Sequence, residues 1–220
     1  MLCLFDIDGT LVDTRGAGMA AIVATCRDVF GGDGPPLDLA GATDLGLLAT
    51  LCGHYQQDAA DPALADHFFE TYHSHLDRNL NAPEYPGTLI DGADRLVDAL
   101  ASRGDTALGL LTGNTARGAN LKVRRHGLDH HFPFGAYGCD HADRNRLGPI
   151  ALDRAARHHG RKFEAAATWI IGDTPRDIAC AKAIGARCIA VATGSFTAAQ
   201  LAKHDPDIVC ESLAEAVDRL

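Results

Sequence analysis

The sequence predicts an α/β fold: a Rossmann-like parallel sheet core with helices on both faces, plus an inserted all-helical cap. Two observations support this prediction. Short apolar runs alternate with stretches of helical periodicity over residues 85–220, a pattern typical of a parallel sheet. An isolated apolar run opens the chain at 1–7, and the segment 15–84 that follows it contains no convincing strand pattern. We therefore predict a core formed by residues 1–14 and 85–220, interrupted by a helical cap at 15–84.

The helices of the inserted segment are predicted from the spacing of its apolar residues. The first helix has Met19, Ile22, Val23, Cys26 and Phe30 at helical intervals. A stretch rich in glycine and proline at 31–36 ends it. The second helix has Leu45, Leu48, Leu51 and Tyr55, and the third has Leu64, Phe68, Tyr72, Leu76 and Leu80. Asp61-Pro62 starts the third helix, because proline fits the first turn of a helix.

The elements of the core follow from the alternation of the two patterns. Apolar runs predict strands at 1–7, 106–111, 134–137, 168–171, 188–192 and near 208. Helical patterns predict helices at 91–103, 115–126, 150–159 and 177–184, and a last one before the end of the chain. Residues at the carboxyl ends of such strands meet at one edge of the sheet, which is where open α/β sheets bind ligands.

Composition excludes several functional classes. Lys and Arg total 20 and Asp and Glu total 29, a formal net charge of −9, which disfavours general nucleic-acid binding. No apolar stretch approaches the roughly 20 residues needed to cross a bilayer. The seven cysteines are scattered and include no Cys-x-x-Cys pair, so we expect reduced thiols in the core. These features predict a cytoplasmic protein without nucleic-acid or membrane partners, either a monomer or a homodimer.

Two carboxylates close the first apolar run. Asp6 and Asp8 lie two residues apart, so that the period of a strand places both on one side. Asp8-Gly9 is also a common turn signal, which would explain Asp8 alone. A carboxylate at Asp6, inside a buried strand, costs several kcal/mol unless it is paired or binds a metal, so a functional role is favoured.

Three further groups of polar residues follow later apolar runs. Thr112, Gly113 and Asn114 end the run at 106–111, where they suit a bound phosphate, although Thr112 or Asn114 could equally be a helix N-cap. Arg144 and Arg146 precede a predicted helix, and we interpret Arg146 as the clamp for an anion and Arg144 as a surface charge. The last group is acidic and consists of Asp173 and Asp177. Capping a helix does not require both of these acids. Together with Asp6 and Asp8 they provide the carboxylate oxygens that Mg²⁺ prefers as ligands.

In this order, these groups resemble the motifs of the haloacid-dehalogenase-like (HAD) hydrolase superfamily, and the helical insert resembles that of its phosphoglycolate-phosphatase-like members. The resemblance implies a Mg²⁺-dependent phosphatase of a small phosphorylated metabolite. Asp6 would attack the phosphorus to form an aspartyl-phosphate, and Asp8 would transfer protons to the leaving alcohol and from water. The implied metal residues are Asp6, Asp8 through its backbone carbonyl, Asp173 and Asp177.

The resemblance also assigns the phosphate site, with one departure. Thr112, Gly113, Asn114 and Arg146 would bind the phosphoryl group. The family commonly has a lysine in a Lys-Pro-x-Pro segment, and aligning Pro149 with its second proline puts Arg146 at that position, with Arg144 as the alternative. Cap residues set substrate choice in this family. The candidates in this chain are Arg15 and Thr43.

Two alternatives to a phosphatase remain open, and two others are disfavoured by the sequence. A phosphomutase of the β-phosphoglucomutase type would use the same aspartyl-phosphate, and a non-catalytic phosphate-binding or signalling module would hold phosphate without turnover. Asp8 disfavours dehalogenation, since a halide needs no proton, and the lack of any lysine in 15–84 disfavours phosphonate cleavage through a cap Schiff base. The histidine pairs lack the i, i+4 spacing of helical zinc sites.

Overall fold

A computed structural model describes residues 1–217 and 219–220. Within them lies a six-stranded sheet in the order β5-β4-β1-β6-β7-β8, in which every neighbouring pair is parallel. The strands are β1 (Leu2–Phe5), β4 (Ala107–Leu111), β5 (Gly135–Ala136), β6 (Thr168–Gly172), β7 (Arg187–Val191) and β8 (Ile208–Cys210). The central strand β1 is buried along its whole length, which explains its continuous apolar sequence.

Helices cover both faces of this sheet, as the sequence predicts. They are α4 (Ala93–Ala101), α5 (Ala116–Arg125), α6 (Leu147–His159), α7 (Pro175–Ile184), α8 (Ala198–Ala202) and α9 (Leu213–Val217). Side chains of β1 alternate between the two faces: Cys3 and Phe5 belong to one hydrophobic cluster, and Leu2 and Leu4 to the other. The Rossmann-like fold class is thereby confirmed.

Three helices interrupt the core between its first strands: α1 (Ala17–Phe30), α2 (Asp44–Tyr55) and α3 (Pro62–Leu80). Asp61 caps α3 and Pro62 opens it, and Gly31 ends α1 in a left-handed conformation. The buried stripe of α3, Phe68, Tyr72, Leu76 and Leu80, packs with α1 and α2 in a hydrophobic cluster separate from those of the sheet. Burying each such side chain contributes about 1.5 to 3 kcal/mol, so the three helices stabilise one another.

A short antiparallel ribbon joins the two chain segments that lead into and out of the helical insert. Its strands are β2 (Val12–Asp13) and β3 (Thr88–Leu89), paired Val12 to Leu89 and Asp13 to Thr88. Two-residue strands have no alternation pattern long enough to detect, so the sequence analysis does not predict them. The ribbon brings both connections to one point, just beyond the end of β1.

One helix begins earlier than predicted, and one short helix was not predicted. Helix α6 begins at Leu147 rather than at 150, because Pro149 lies in its first turn, where no backbone N–H is required. The five-residue helix α8 is too short for a periodic signal.

In the described chain no helix combines the length and the apolar character that a bilayer crossing requires. The cysteines carry free thiols, six of them buried and Cys139 exposed.

Candidate active site at the carboxyl edge of the sheet

The polar residues that follow β1, β4 and β6 converge at one edge of the sheet, because these three strands are adjacent and parallel. The turn after β1 requires glycine at position 9, where φ is +79° and a Cβ atom would lie 2.5 Å from Oδ2 of Asp173. Thr10, in the same turn, donates a hydrogen bond to the Asp173 carboxylate over 3.1 Å. The turn that follows Asp6 and Asp8 therefore contacts Asp173 directly.

Three carboxylates form a buried cluster. Asp6, Asp173 and Asp177 each offer an oxygen, and these oxygens lie within 4.8 Å of one another. Burial, reinforced by Asp177 and Asp6, raises the pKa of Asp173 to about 8. Burial likewise raises the pKa of Asp6 to about 6, although Arg144 opposes the shift. The negative charge of the cluster exceeds what its neighbours balance, which is the environment that a divalent cation stabilises.

The arginine that reaches this cluster is Arg144, not the predicted Arg146. Its Nη2 lies 3.3 Å from Oδ1 of Asp6 and also contacts Asp177, and its Nη1 donates to the carbonyl of Gly41 over 3.3 Å. Although burial opposes it, the charges of Asp177 and Asp6 raise the pKa of the Arg144 guanidinium above its ordinary value. Its Nε is buried without an acceptor among the described residues.

Local geometry explains this correction. The residues before α6 form a single 3-10 turn, Arg144–Arg146, so the spacing from Pro149 does not decide which arginine faces the site. Asp143 caps the turn by accepting a hydrogen bond from the backbone N–H of Asn145 over 2.9 Å. Residues two apart in such a turn face different directions, so Arg144 is buried while Arg146 is exposed.

Asp8 is held apart from the carboxylate cluster by a lysine that the sequence analysis missed. The ammonium of Lys122, on α5, lies 2.7 Å from both carboxylate oxygens of Asp8 and 2.6 Å from Oδ1 of Asn114. Asn114 in turn donates to Oδ2 of Asp8 over 2.7 Å. Lys122 is buried on the same face of α5 as Ala119 and Val123. A lysine on an apolar helical face was the signal that could have identified it.

The segment after β4 contains Thr112 and Asn114, and neither of them caps the helix that follows. Thr115, rather than Thr112 or Asn114, caps α5 by accepting from the backbone N–H of Gly118 over 3.1 Å. The capping interpretation of Thr112 and Asn114 is therefore wrong. The Thr112 hydroxyl accepts from Nδ2 of Asn114 over 2.9 Å, and both residues line the central cavity.

The two predicted substrate residues of the insert do not line the central cavity. Thr43 caps α2 and donates a hydrogen bond to the carbonyl of Ala142 over 2.6 Å. Arg15 pairs with Asp13 over 3.0 Å, and its side chain is 59% exposed. Thr43 could cap a helix and Arg15 could form a local ion pair. The sequence pattern does not distinguish these structural roles from substrate binding.

A cavity of about 670 Å³ lies between the carboxyl edge of the sheet and the helical insert. Asp6, Asp8, Thr112, Gly113 and Asn114 line it. Lys122, Arg144 and Asp173 line it as well. The arrangement combines a buried carboxylate beside an arginine, a second carboxylate held separately, and hydroxyl and amide donors, which together suit the binding and transfer of an anionic group.

Comparisons with known proteins agree with this geometry. The family model described as HAD-hydrolase-like matches residues 145–216, which include Asp173 and Asp177. The protein named "Probable phosphatase IndB" of Dickeya dadantii is 26% identical over 221 residues, covering 98% of this chain and 91% of that protein. A "5'-nucleotidase" of Pseudomonas aeruginosa is 28% identical over 222 residues, covering 96% and 91%.

Solved structures share the fold over the whole chain. The crystal structure of CbbY from Rhodobacter sphaeroides in complex with phosphate has a TM-score of 0.72 at 20% identity, and the match covers 100% of this chain and 99% of that one. The family model and the shared fold support the same assignment. Over residues 145–216 the chain matches the model of the haloacid-dehalogenase-like hydrolases, the superfamily that its motifs resemble.

Proposed function

We propose that the protein is a cytoplasmic, Mg²⁺-dependent phosphomonoester hydrolase that acts on a small phosphorylated metabolite through an aspartyl-phosphate. The observation that carries this proposal is the position of Asp6. Its carboxylate is buried at the end of the central strand, beside Arg144, and it lines the cavity together with a second, separately held carboxylate, Asp8. Two relatives are named as a phosphatase and a 5'-nucleotidase, which supports the same reaction class.

The carboxylate cluster fits Mg²⁺. Hard oxygen donors are the ligands this ion prefers, and burial, with the neighbouring Asp177 and Asp6, raises the pKa of Asp173, so a cation would stabilise its charged form. Asp6 and Asp173 would hold the ion, with the backbone carbonyl of Asp8. Asp177 accepts hydrogen bonds from Thr174 and Arg144, so it would act by fixing the surroundings of the ion. Bound Mg²⁺ would reduce the repulsion between a carboxylate and a phosphate dianion.

The reaction divides between the two acids of the first motif. An oxygen of Asp6 forms a bond to the phosphorus as the bond to the leaving alcohol oxygen breaks, and protonated Asp8 gives that oxygen its proton. Asp8, now a carboxylate, accepts a proton from the water that attacks the aspartyl-phosphate. Phosphate leaves and Asp6 is regenerated. Lys122 and Asn114 hold the Asp8 side chain at the cavity wall for both proton transfers.

The phosphoryl group would be held by donors from two sides. Arg144 is fixed by Asp177 and carries a guanidinium whose Nε has no acceptor in the described chain. Thr112 and Gly113, at the end of β4, line the same cavity and would offer a hydroxyl and a backbone N–H. Asn114 donates its side-chain N–H groups to Asp8 and Thr112, so it would act by positioning these two residues. Preorganised donors of this kind stabilise charge on the transferring group without reorganisation during the reaction.

We further propose that residues 15–84 form a cap over the core at 1–14 and 85–220. The support for this is the separate hydrophobic cluster of α1, α2 and α3 and its contacts across the cavity. The backbone N–H of Asp44 donates to the carbonyl of Gly113 over 2.7 Å, and the carbonyl of Gly41 accepts from Arg144. These contacts close the cap onto the residues that would bind phosphate and limit the entry of water.

The proposal is tested by phosphate release from 4-nitrophenyl phosphate, measured with Mg²⁺ and with a chelator. We expect many turnovers for the wild type with Mg²⁺, none with the chelator, and none for Asp6→Asn. Asp66→Asn is the matched control, because Asp66 is an exposed carboxylate on α3 away from the cavity. Activity of Asp6→Asn at the wild-type level would contradict the assignment of the nucleophile.

A further inference from the structure

The central cavity has two chemically different walls. Its floor is the carboxyl edge of the sheet, with the acids and hydroxyls described above. Its opposite wall comes from the helical insert and is mostly apolar. The apolar side chains of the insert that line the cavity are Met19, Ile22, Leu37, Leu39, Leu47 and Tyr72. A cavity of about 670 Å³ leaves room for more than a phosphate group, so the part of a ligand beyond its phosphate would contact this apolar wall.

Met19 indicates where that part would lie. It is the single large apolar side chain in the described chain that is exposed, at 37%, and it lies on α1 where that helix borders the cavity. One exposed apolar side chain would by itself mean little. Leu37, Leu39 and Leu47 are half-buried around the same cavity, so Met19 belongs to a larger apolar wall.

The charged residues around the cavity disfavour a ligand that carries a second anionic group besides its phosphate. Among the described residues that line it, the cations are Lys122 and Arg144, and both are already paired with carboxylates. Three further acids, Asp13, Asp38 and Asp44, line the remaining surface, and the first two are paired with Arg15 and Arg176, which do not line it. An additional carboxylate or phosphate on a ligand would therefore find no unpaired cation among the described residues that line the cavity.

We infer, building on the function proposed above, that the substrate is a phosphomonoester whose alcohol half carries apolar surface of about the size of a ring and no second anionic group. Such a ligand places its phosphate among the polar groups of the floor and covers Met19 and Leu39 with its alcohol half. Substrates in which a carboxylate or second phosphate lies close to the ester, by contrast, bring an anion against the apolar wall. The apolar wall and the shortage of free cations independently favour the same class of ligand.

Two aryl phosphates of nearly equal shape test the inference. 4-Carbamoylphenyl phosphate and 4-carboxyphenyl phosphate differ mainly in the charge of one substituent. With Mg²⁺ present, we expect kcat/KM to be higher for the carbamoyl compound by about tenfold or more, the effect of one unfavourable charge contact of about 1.4 kcal/mol. Equal rates, or a preference for the carboxylate, would overturn the inference.

A positive charge placed on the apolar wall should weaken the preference for the uncharged substrate. Met19→Lys is expected to raise kcat/KM for the carboxyphenyl compound and to reduce the ratio between the two substrates at least threefold, an effect of roughly half a charge contact. Ala49→Lys is the matched control, since Ala49 is exposed on α2 and does not line the cavity. An unchanged ratio in folded Met19→Lys would contradict the position assigned to the alcohol half. Should Met19→Lys fail to fold, the wild-type ratio alone decides.

Ethyl phosphate separates a failure of this inference from a failure of the proposed function. It is a phosphomonoester but has no ring to contact the apolar wall. Phosphate release from ethyl phosphate, together with poor use of the carbamoyl compound, would overturn the substrate class and leave the hydrolase intact. No release from any of the three compounds would refute the proposed function, and the inferred substrate class with it.

Discussion

The contact between Lys122 and Asp8 leads to a specific kinetic prediction for Lys122→Met. Methionine keeps the length and the apolar stem of lysine, so packing on the buried face of α5 is retained while the ammonium is lost. Two of the three protein hydrogen bonds that hold the Asp8 carboxylate disappear, and the one from Asn114 remains. Proton transfer by Asp8 then starts from a less well-defined geometry.

The size of the effect follows from this geometry and from the leaving group. General acid catalysis contributes about 10²- to 10⁴-fold, and we expect partial loss of positioning to lower kcat on benzyl phosphate about 10- to 100-fold. On 4-nitrophenyl phosphate, whose leaving group needs little protonation, we expect a loss of about threefold or less. Because the Asp8 side chain is 43% exposed, the free energy of unfolding should fall by only about 1 to 2 kcal/mol.

The assay is the measurement of kcat and KM on both esters, with Mg²⁺, for the wild type, Lys122→Met and three further variants. Asp8→Asn should show the same dependence on the leaving group, but more strongly. Lys122→Arg should recover part of the loss, and adding Lys122→Met to Asp8→Asn should cost little more, because both act on one proton transfer. Equal losses on the two esters would refute the positioning role and indicate a general effect on the fold or on phosphate binding.

Three further predictions concern other parts of the structure. Arg144→Met should lower kcat/KM at least about 100-fold, the effect of losing a charge-assisted contact with the transferring group. Arg146→Ala should keep kcat/KM near the wild-type value. A large loss in Arg146→Ala and a small one in Arg144→Met would restore the sequence-based assignment. Burial and the nearby Arg117 lower the pKa of His73 to about 4 from 6.5, so the unfolded chain binds a proton that the folded chain does not, and stability falls as pH drops through that range. Urea unfolding at several pH values should show a loss of about 2 to 3 kcal/mol that His73→Gln lacks, and identical pH profiles would contradict this. Gly113→Ala would place a Cβ atom 1.7 Å from the carbonyl oxygen of Ala42, and we expect a loss of at least about 2 kcal/mol; an unchanged melting temperature would show that the insert does not lie against Gly113.

The parts of the molecule that could be predicted from sequence are those encoded by neighbouring residues. The strands β1, β4 and β6 are short apolar runs because they are buried on both faces, and polar residues at their ends necessarily meet in a parallel sheet. Asp6 was identifiable because an acid within a buried strand is costly without a functional partner. The inserted helices were predictable from periodicity, since each buries one face in a common cluster.

The parts that could not be predicted depend on contacts between distant segments or on a single turn. Arg144 and Arg146 have the same chemistry, and only the 3-10 turn that contains both decides which is buried. Lys122 acquires its role by contacting Asp8, 114 residues away in sequence. Thr43 and Arg15 have local partners, an N-cap contact and an ion pair, and the sequence pattern does not distinguish these roles from substrate binding.

The ribbon formed by β2 and β3 also has a consequence for how the chain could be rearranged. Asp13 and Thr88 are paired neighbours on antiparallel strands, so everything between them is, in topological terms, the loop of a β-hairpin. A loop of this kind can be lengthened, shortened or exchanged without altering the path of the six-stranded sheet, because both of its ends leave the sheet at the same place. The core could thus have acquired new specificity by exchange of a whole helical module, with Asp6 and Asp8 kept unchanged a few residues before the junction.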